Sequence, residues 1–111
     1  DIMHKRKLDV LEEAIKVVCG KRHEDYGSAL DNHTRIADFW NVWVTEMPLT
    51  AYDVAMMMAL VKVARCMNRP TTDSHIDLAG YAALAEEIHK ETMEVENGRS
   101  NESPSSNDGA K

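Results

Sequence analysis

Strands have no foothold in this sequence. Nowhere do β-branched and polar residues alternate over a strand's length, which excludes a sheet as the core. Long apolar runs are missing too. The longest, Val54 to Val61, falls far short of a bilayer's thickness. Cysteine is scarce: Cys19 and Cys66 each sit midway in a helical pattern, so we expect a reduced pair filling the core rather than a disulfide or metal site. Positive charge is in deficit. A net charge of −6 excludes a non-specific nucleic-acid binder, whose footprint is a basic stripe. No helix carries the exposed Arg/Lys/Asn/Gln-rich face that direct DNA reading needs. His23, His33 and His75 lack metal-ligand spacing and read as solvated histidines.

What is present is one domain. A chain of 111 residues supports a single core, marginal in size unless copies associate, and we expect a homo-oligomer. Residues 97 to 111 contain no large apolar side chain, so burial cannot offset the entropy of ordering them. The reading is a helical domain over residues 1–96 and a disordered tail over 97–111. Lys5, Arg6 and Lys7 lead into an amphipathic pattern rather than an apolar leader, which predicts a cytoplasmic protein.

Four helices account for the domain. Leu8, Leu11, Ile15 and Val18 recur at helical spacing, and Gly20 is the expected stop. Residues 21–30 form the expected long polar loop, with Tyr26-Gly27 as a tight turn. Asp31 or Asn32 caps a second helix bearing Ile36, Phe39, Trp40 and Trp43, and Pro48 marks its exit. Thr50 and Asp53 make a capping box for a third, which ends near Asn68 before Pro70. Asp73 or Ser74 opens a fourth, striped with Ile76, Gly80, Leu84 and Ile88. The fold class is all-α, a four-helix antiparallel bundle.

Three cations interrupt the apolar patterns: Arg35, Lys62 and Arg65. An unpaired buried cation costs several kcal/mol, so each needs a partner. Antiparallel neighbours turning near residues 48 and 71 bring Arg35 level with Lys62, and set Arg65 opposite Asp77. Lys62 then faces Gly80 or Tyr81. His23, Tyr26, Asn32 and Asp73 collect at the same end. Asp53, on the other side of its helix, is a helix-start carboxylate and stays outside the site. Surplus positive charge at one end of an acidic bundle predicts an anion site, with a purely structural polar network as the alternative. Arg and Lys suit phosphate oxygens, Trp40, Tyr26 and Tyr81 offer stacking faces, and Asp73 with Asp77 suits Mg²⁺.

The strings HEDYG, DNHTRIADFWNVW, LTAYDVAMMMALVKVARCMNRP and DSHIDLAGYAAL resemble a family of small uncharacterised all-helical proteins of phages and prophages. Tyr26-Gly27, Asn32, Arg35-Ile36-Ala37, Trp40, Asp53, Met57, Lys62, Ala64-Arg65, Asp73, Asp77 and Gly80-Tyr81 carry the resemblance, over about residues 8 to 90. It implies phage origin, a helical fold and a polar site at these positions. A more distant similarity is to the all-α nucleotide pyrophosphohydrolases of the MazG and dimeric dUTPase type. Their Glu-Glu-x-x-Glu motif is broken here, since Lys16 follows Glu12-Glu13 and Lys90 follows Glu86-Glu87, and the later Glu-x-x-Asp is missing.

Three functions follow as expectations. The first is a protein that binds a phosphorylated nucleotide-like ligand without turnover, with sequestration of a nucleotide immune signal as a use in a phage. The second is a Mg²⁺-dependent hydrolase using Asp73, Asp77 and His23. The third is an oligomeric interaction module, signalled by Phe39, Trp40, Trp43 and the Met56-Met57-Met58 run.

Overall fold

The computed structural model describes the backbone of residues 2–107 and the side chains of residues 5–98. It is all-α, an antiparallel arrangement of four helical rods with no strand among the described residues. The first rod is longer than its sequence suggests. Helix α1 (Ile2–Lys16) passes through a π-helical turn (Val17–Lys21) directly into α2 (Arg22–Tyr26). The N–H of Arg22 donates to Val17 O, five residues back, so the turn accommodates one extra residue.

Gly20 therefore does not end the helix. A glycine stops a helix by adopting positive φ, and among the described residues Gly27 alone does so. Lys21 pairs with Asp25 at 3.3 Å and Arg22 lies over Tyr26, both one helical turn apart, and these contacts favour continuation. The rod stops at Gly27, whose φ of 79° and ψ of −155° suit a residue without Cβ. The expected loop is thus mostly helix.

Ser28, not Asp31 or Asn32, caps α3 (Ala29–Trp40), its Oγ accepting from the Asp31 N–H at 3.1 Å. The α3–α4 connection is clamped by Asn41, whose side chain donates to Leu49 O at 3.1 Å and accepts from Leu49 N at 2.7 Å. Helix α4 (Ala51–Asn68) begins with the expected Thr50–Asp53 capping box. Arg69 is extended ahead of Pro70, as the residue before proline prefers. Helix α5 (Thr72–Asn107) is capped by Thr71, which accepts from Ser74 N at 3.1 Å, rather than by Asp73 or Ser74. Its helical backbone runs on to Asn107, into the segment read as a tail from Asn97. Residues 108–111 of that segment lie outside the described residues.

Helix α5 is the axis of the fold. Helices α4, α3 and α1 all pack on it, and α3 also packs on α4. Helix α1 touches neither α3 nor α4, so the bundle is open rather than closed. The core is small and rich in alanine: Ala29, Ala51, Ala55, Leu84, Ala85 and Ile88, with Val18, Leu30 and Tyr81 against it. Small side chains let helices approach closely, at the expense of buried apolar area. Cys66 is half-buried and Cys19 exposed, so only one of the two free thiols faces inward. No described helix is long and apolar enough to cross a membrane.

Gly80 marks a close approach of the first rod, since a Cβ there would meet Val18 Cγ1 at 3.2 Å. Gly80→Ala is expected to be nearly neutral, because that methyl must move only slightly. Gly80→Leu should lower unfolding free energy by about 1–3 kcal/mol, measured by urea denaturation.

A candidate ligand cleft beside Arg22

The three cations singled out by the sequence do not converge. Lys62 meets Asp77 at 3.0 Å, with side-chain exposures of 12% and 38%, in place of the expected Arg65–Asp77 register. Arg65 is exposed and makes no ion pair among the described residues. Arg35 is exposed as well, its Nη2 donating to Tyr26 O at 3.3 Å. That carbonyl lies at the C-terminus of α2, where the helix dipole favours a cation. Two of the three cations are thus solvated rather than buried, and Lys62 alone required a partner. Each apolar pattern was wide enough to place a long side chain at its rim, where the charged head reaches water.

Asp73 is exposed in the first turn of α5, one helical turn before Asp77, and takes no part in the Lys62–Asp77 ion pair. No three His, Cys, Asp or Glu side chains come together as a metal-holding group among the described residues. Trp40 lines a separate apolar hollow of about 340 Å³ with Trp43, Val44, Leu49 and Met57. It does not join Tyr26 and Tyr81.

The remaining candidates do meet, around a residue that the sequence reading passed over. Arg22 lies between two aromatic rings, its Cζ 5.2 Å from the Tyr26 centroid and 5.4 Å from that of Tyr81. Two adjoining hollows share Arg22, Val18 and Leu84 as a common wall. The larger, of about 120 Å³, is completed by Val17, Ile76, Asp77, Gly80 and Tyr81. The smaller, of about 20 Å³, is bounded by His23, Tyr26, Gly27, Ala29, Asn32 and Glu87. Arg22 has no carboxylate partner among the described residues. Its stacking uses the faces of the guanidinium and leaves N–H edges for an acceptor.

Beneath Tyr81 lies His33, fully buried, the two rings edge-on with centroids 6.3 Å apart. Its Nδ1–H donates to Ala29 O at 3.0 Å, leaving Nε2 buried and without a partner among the described residues. Burial pushes the His33 pKa down, and the nearby Arg22 charge adds to this, while the Ala29 hydrogen bond opposes it. The histidine expected to be solvated is therefore a buried, neutral support behind Tyr81. Its signal was the spacing Ala29, His33, Ala37, which marks the inward face of α3. For Arg22 the signal was its four-residue spacing from Val18 and Tyr26, hidden by reading Gly20 as a stop.

A buried neutral histidine makes stability fall in acid. The unfolded chain takes up a proton near the ordinary value of 6.5, and the folded chain resists it. Stability should be full above about pH 6.5 and decline as the pH falls below it. Glu91 works in the opposite sense: burial, then Glu87, Glu94 and Asp31, raise its pKa and favour the folded state in acid. Denaturation of the wild type at neutral and mildly acidic pH, set beside His33→Leu, separates the two. The loss between the two conditions should shrink in the variant.

Residues 9–89 match the model of a family described as Domain of unknown function (DUF6378). Over 82 residues the chain is 40% identical to the Gene 55 protein of Mycobacterium phage L5, a match covering 73% of this chain and 53% of that protein. Over 88 residues it is 36% identical to the Gene 55 protein of Mycobacterium phage D29, covering 78% and 58% respectively. The chain spans a little over half the length of these curated relatives. No solved structure matches it. All the cleft-lining residues, from Val17 to Glu87, fall within the segment that the family model matches. The chain belongs to the DUF6378 family of phage proteins.

Proposed function

We propose that the Arg22 cleft binds a small phosphorylated, ring-bearing ligand of nucleotide type and holds it without turnover. The observation that carries this reading is the half-buried Arg22, stacked on two tyrosines and in no ion pair among the described residues, although Asp77 and Glu87 line the adjoining hollows. An arginine so held loses little freedom when its edge engages phosphate oxygens. The larger hollow matches a phosphate and the edge of a sugar rather than a whole nucleotide. A base would extend over Tyr26, which is half exposed, beside Asn32 and His23 as hydrogen-bonding groups.

Binding without hydrolysis follows from the carboxylates. Asp77 is paired with Lys62 at 3.0 Å, so Mg²⁺ at Asp73 and Asp77 must compete with an existing ion pair. The reading therefore favours a phosphate ester or diester over a metal-bound triphosphate. Lys62 becomes a support for the wall of the cleft rather than its anion hook. In an infected cell, a phage protein of this kind serves to withhold a nucleotide signal from host defence.

The test is a thermal-shift and calorimetric titration with adenosine monophosphate, adenosine triphosphate and cyclic dinucleotides, with and without Mg²⁺. At least one ligand should raise the melting temperature of the wild type, because binding stabilises the folded state alone. Arg22→Gln should weaken that ligand by about tenfold or more, equivalent to about 1.4 kcal/mol, while keeping its helical circular dichroism. No phosphate should be released. A panel with no binder, or equal binding by Arg22→Gln, overturns the reading.

A further inference from the structure

Helix α4 is apolar on two opposite sides, and the fold covers only one. Ala51, Val54 and Ala55 are buried against the bundle, with Met58, Lys62 and Cys66 half-buried on the same face. On the far side Met56, Leu60, Val63 and Met67 are 43%, 65%, 42% and 84% exposed. Their intervals are four, three and four residues, which at about 100° per residue confines them to an arc of roughly 60°. That is the seam spacing of a helix that pairs with another helix. Lys62 and Arg65, the charged residues between Met56 and Met67, both lie outside this arc.

We infer that this seam is the contact between two copies of the chain, packed α4 against α4 in antiparallel, two-fold fashion. The interval pattern reads the same in both directions. A two-fold axis between Leu60 and Val63 therefore sets Met56 of one protomer opposite Met67 of its partner, and Leu60 opposite Val63. Such a pattern is compatible with an isologous interface, in which the same patch is used by both copies. Charge points the same way. In a chain of net charge −6, like-charge repulsion opposes self-association at most faces, whereas α4 from Val54 to Asn68 carries no carboxylate.

A stable dimer needs about 800 Å² from each partner, more than four seam residues supply. The surroundings extend the patch. Tyr52 and Met56 border a hollow of about 410 Å³ shared with α5, and Met57 borders the Trp40–Trp43 hollow, with Trp43 89% exposed. The outward stripe of α1, Leu8, Leu11 and Ile15, differs in its border, where Glu12, Lys5 and Lys16 stand roughly 40–80° from Leu8 on one flank. The inference does not depend on what the Arg22 cleft binds.

Sedimentation velocity over a concentration series tests it, with cross-linking as a second measurement. The wild type should sediment as a dimer and Leu60→Glu as a monomer of unchanged helicity, while Leu11→Glu stays dimeric. With Cys19→Ser and Cys66→Ser as background, Met56→Cys combined with Met67→Cys should form an oxidised dimer. Neither cysteine alone should do so, because the two positions are about 17 Å apart within one helix and meet only across the axis. A monomeric wild type, a dimer that survives Leu60→Glu, or cross-linking by either single cysteine overturns the proposal.

Discussion

Close packing of three helices onto α5 is the constraint on which the rest of the molecule depends. Alanines at the α4–α5 contact and Gly80 beneath Val18 bring backbones together where larger side chains would hold them apart. This geometry has a thermodynamic consequence. A core made mostly of alanine buries little apolar area, so the larger apolar residues remain on outer faces. Leu60 and methionines on α4, with Phe39 near the end of α3 and Trp43 just past it, are left uncovered by the chain's own fold. Small domains commonly resolve such a shortage by association.

The same packing makes the cleft. Because α1 rests on α5 alone, the continuation of its rod through the π turn carries Arg22 over Tyr81, and Gly27 ends the rod before it runs past the bundle. His33 supports Tyr81 from below, Ala29 orients His33, and Arg35 ties the last carbonyl of α2 to α3. Four helical segments thus fix one guanidinium. The Lys62–Asp77 pair anchors α4 to α5 at the edge of the cleft, and its partial burial makes it a positioning contact rather than an open cation.

Much of the architecture was legible in the sequence. The Thr50–Asp53 capping box, the stop at Asn68 and the all-helical pattern rest on local chemistry, which tertiary packing leaves intact. Two of the helix starts were misplaced by two to four residues because several residues able to cap stand close together, and only backbone direction selects among them. Gly20 misled for a different reason: whether a glycine stops a helix depends on its φ, which composition does not reveal. That one residue hid the helical nature of residues 21–26, and with it Arg22. Lys62 and Asp77 were both singled out by their spacing, but Asp77 was set opposite Arg65, about one helical turn off, and each cation in an apolar pattern was given a need for a partner. Long side chains at the edge of a helical face escape that rule, as Arg35 and Arg65 do.

The central claim is that Arg22 is an anion-engaging group held in place by tyrosines. The most direct measurement is an NMR titration following arginine side-chain N–H resonances as a nucleoside monophosphate is added. The account predicts a saturable shift at Arg22 Nε, accompanied by ring signals of Tyr26 and Tyr81, with Arg65 unmoved. A shift spread equally over Arg22, Arg35 and Arg65, or none that saturates at Arg22, would contradict it.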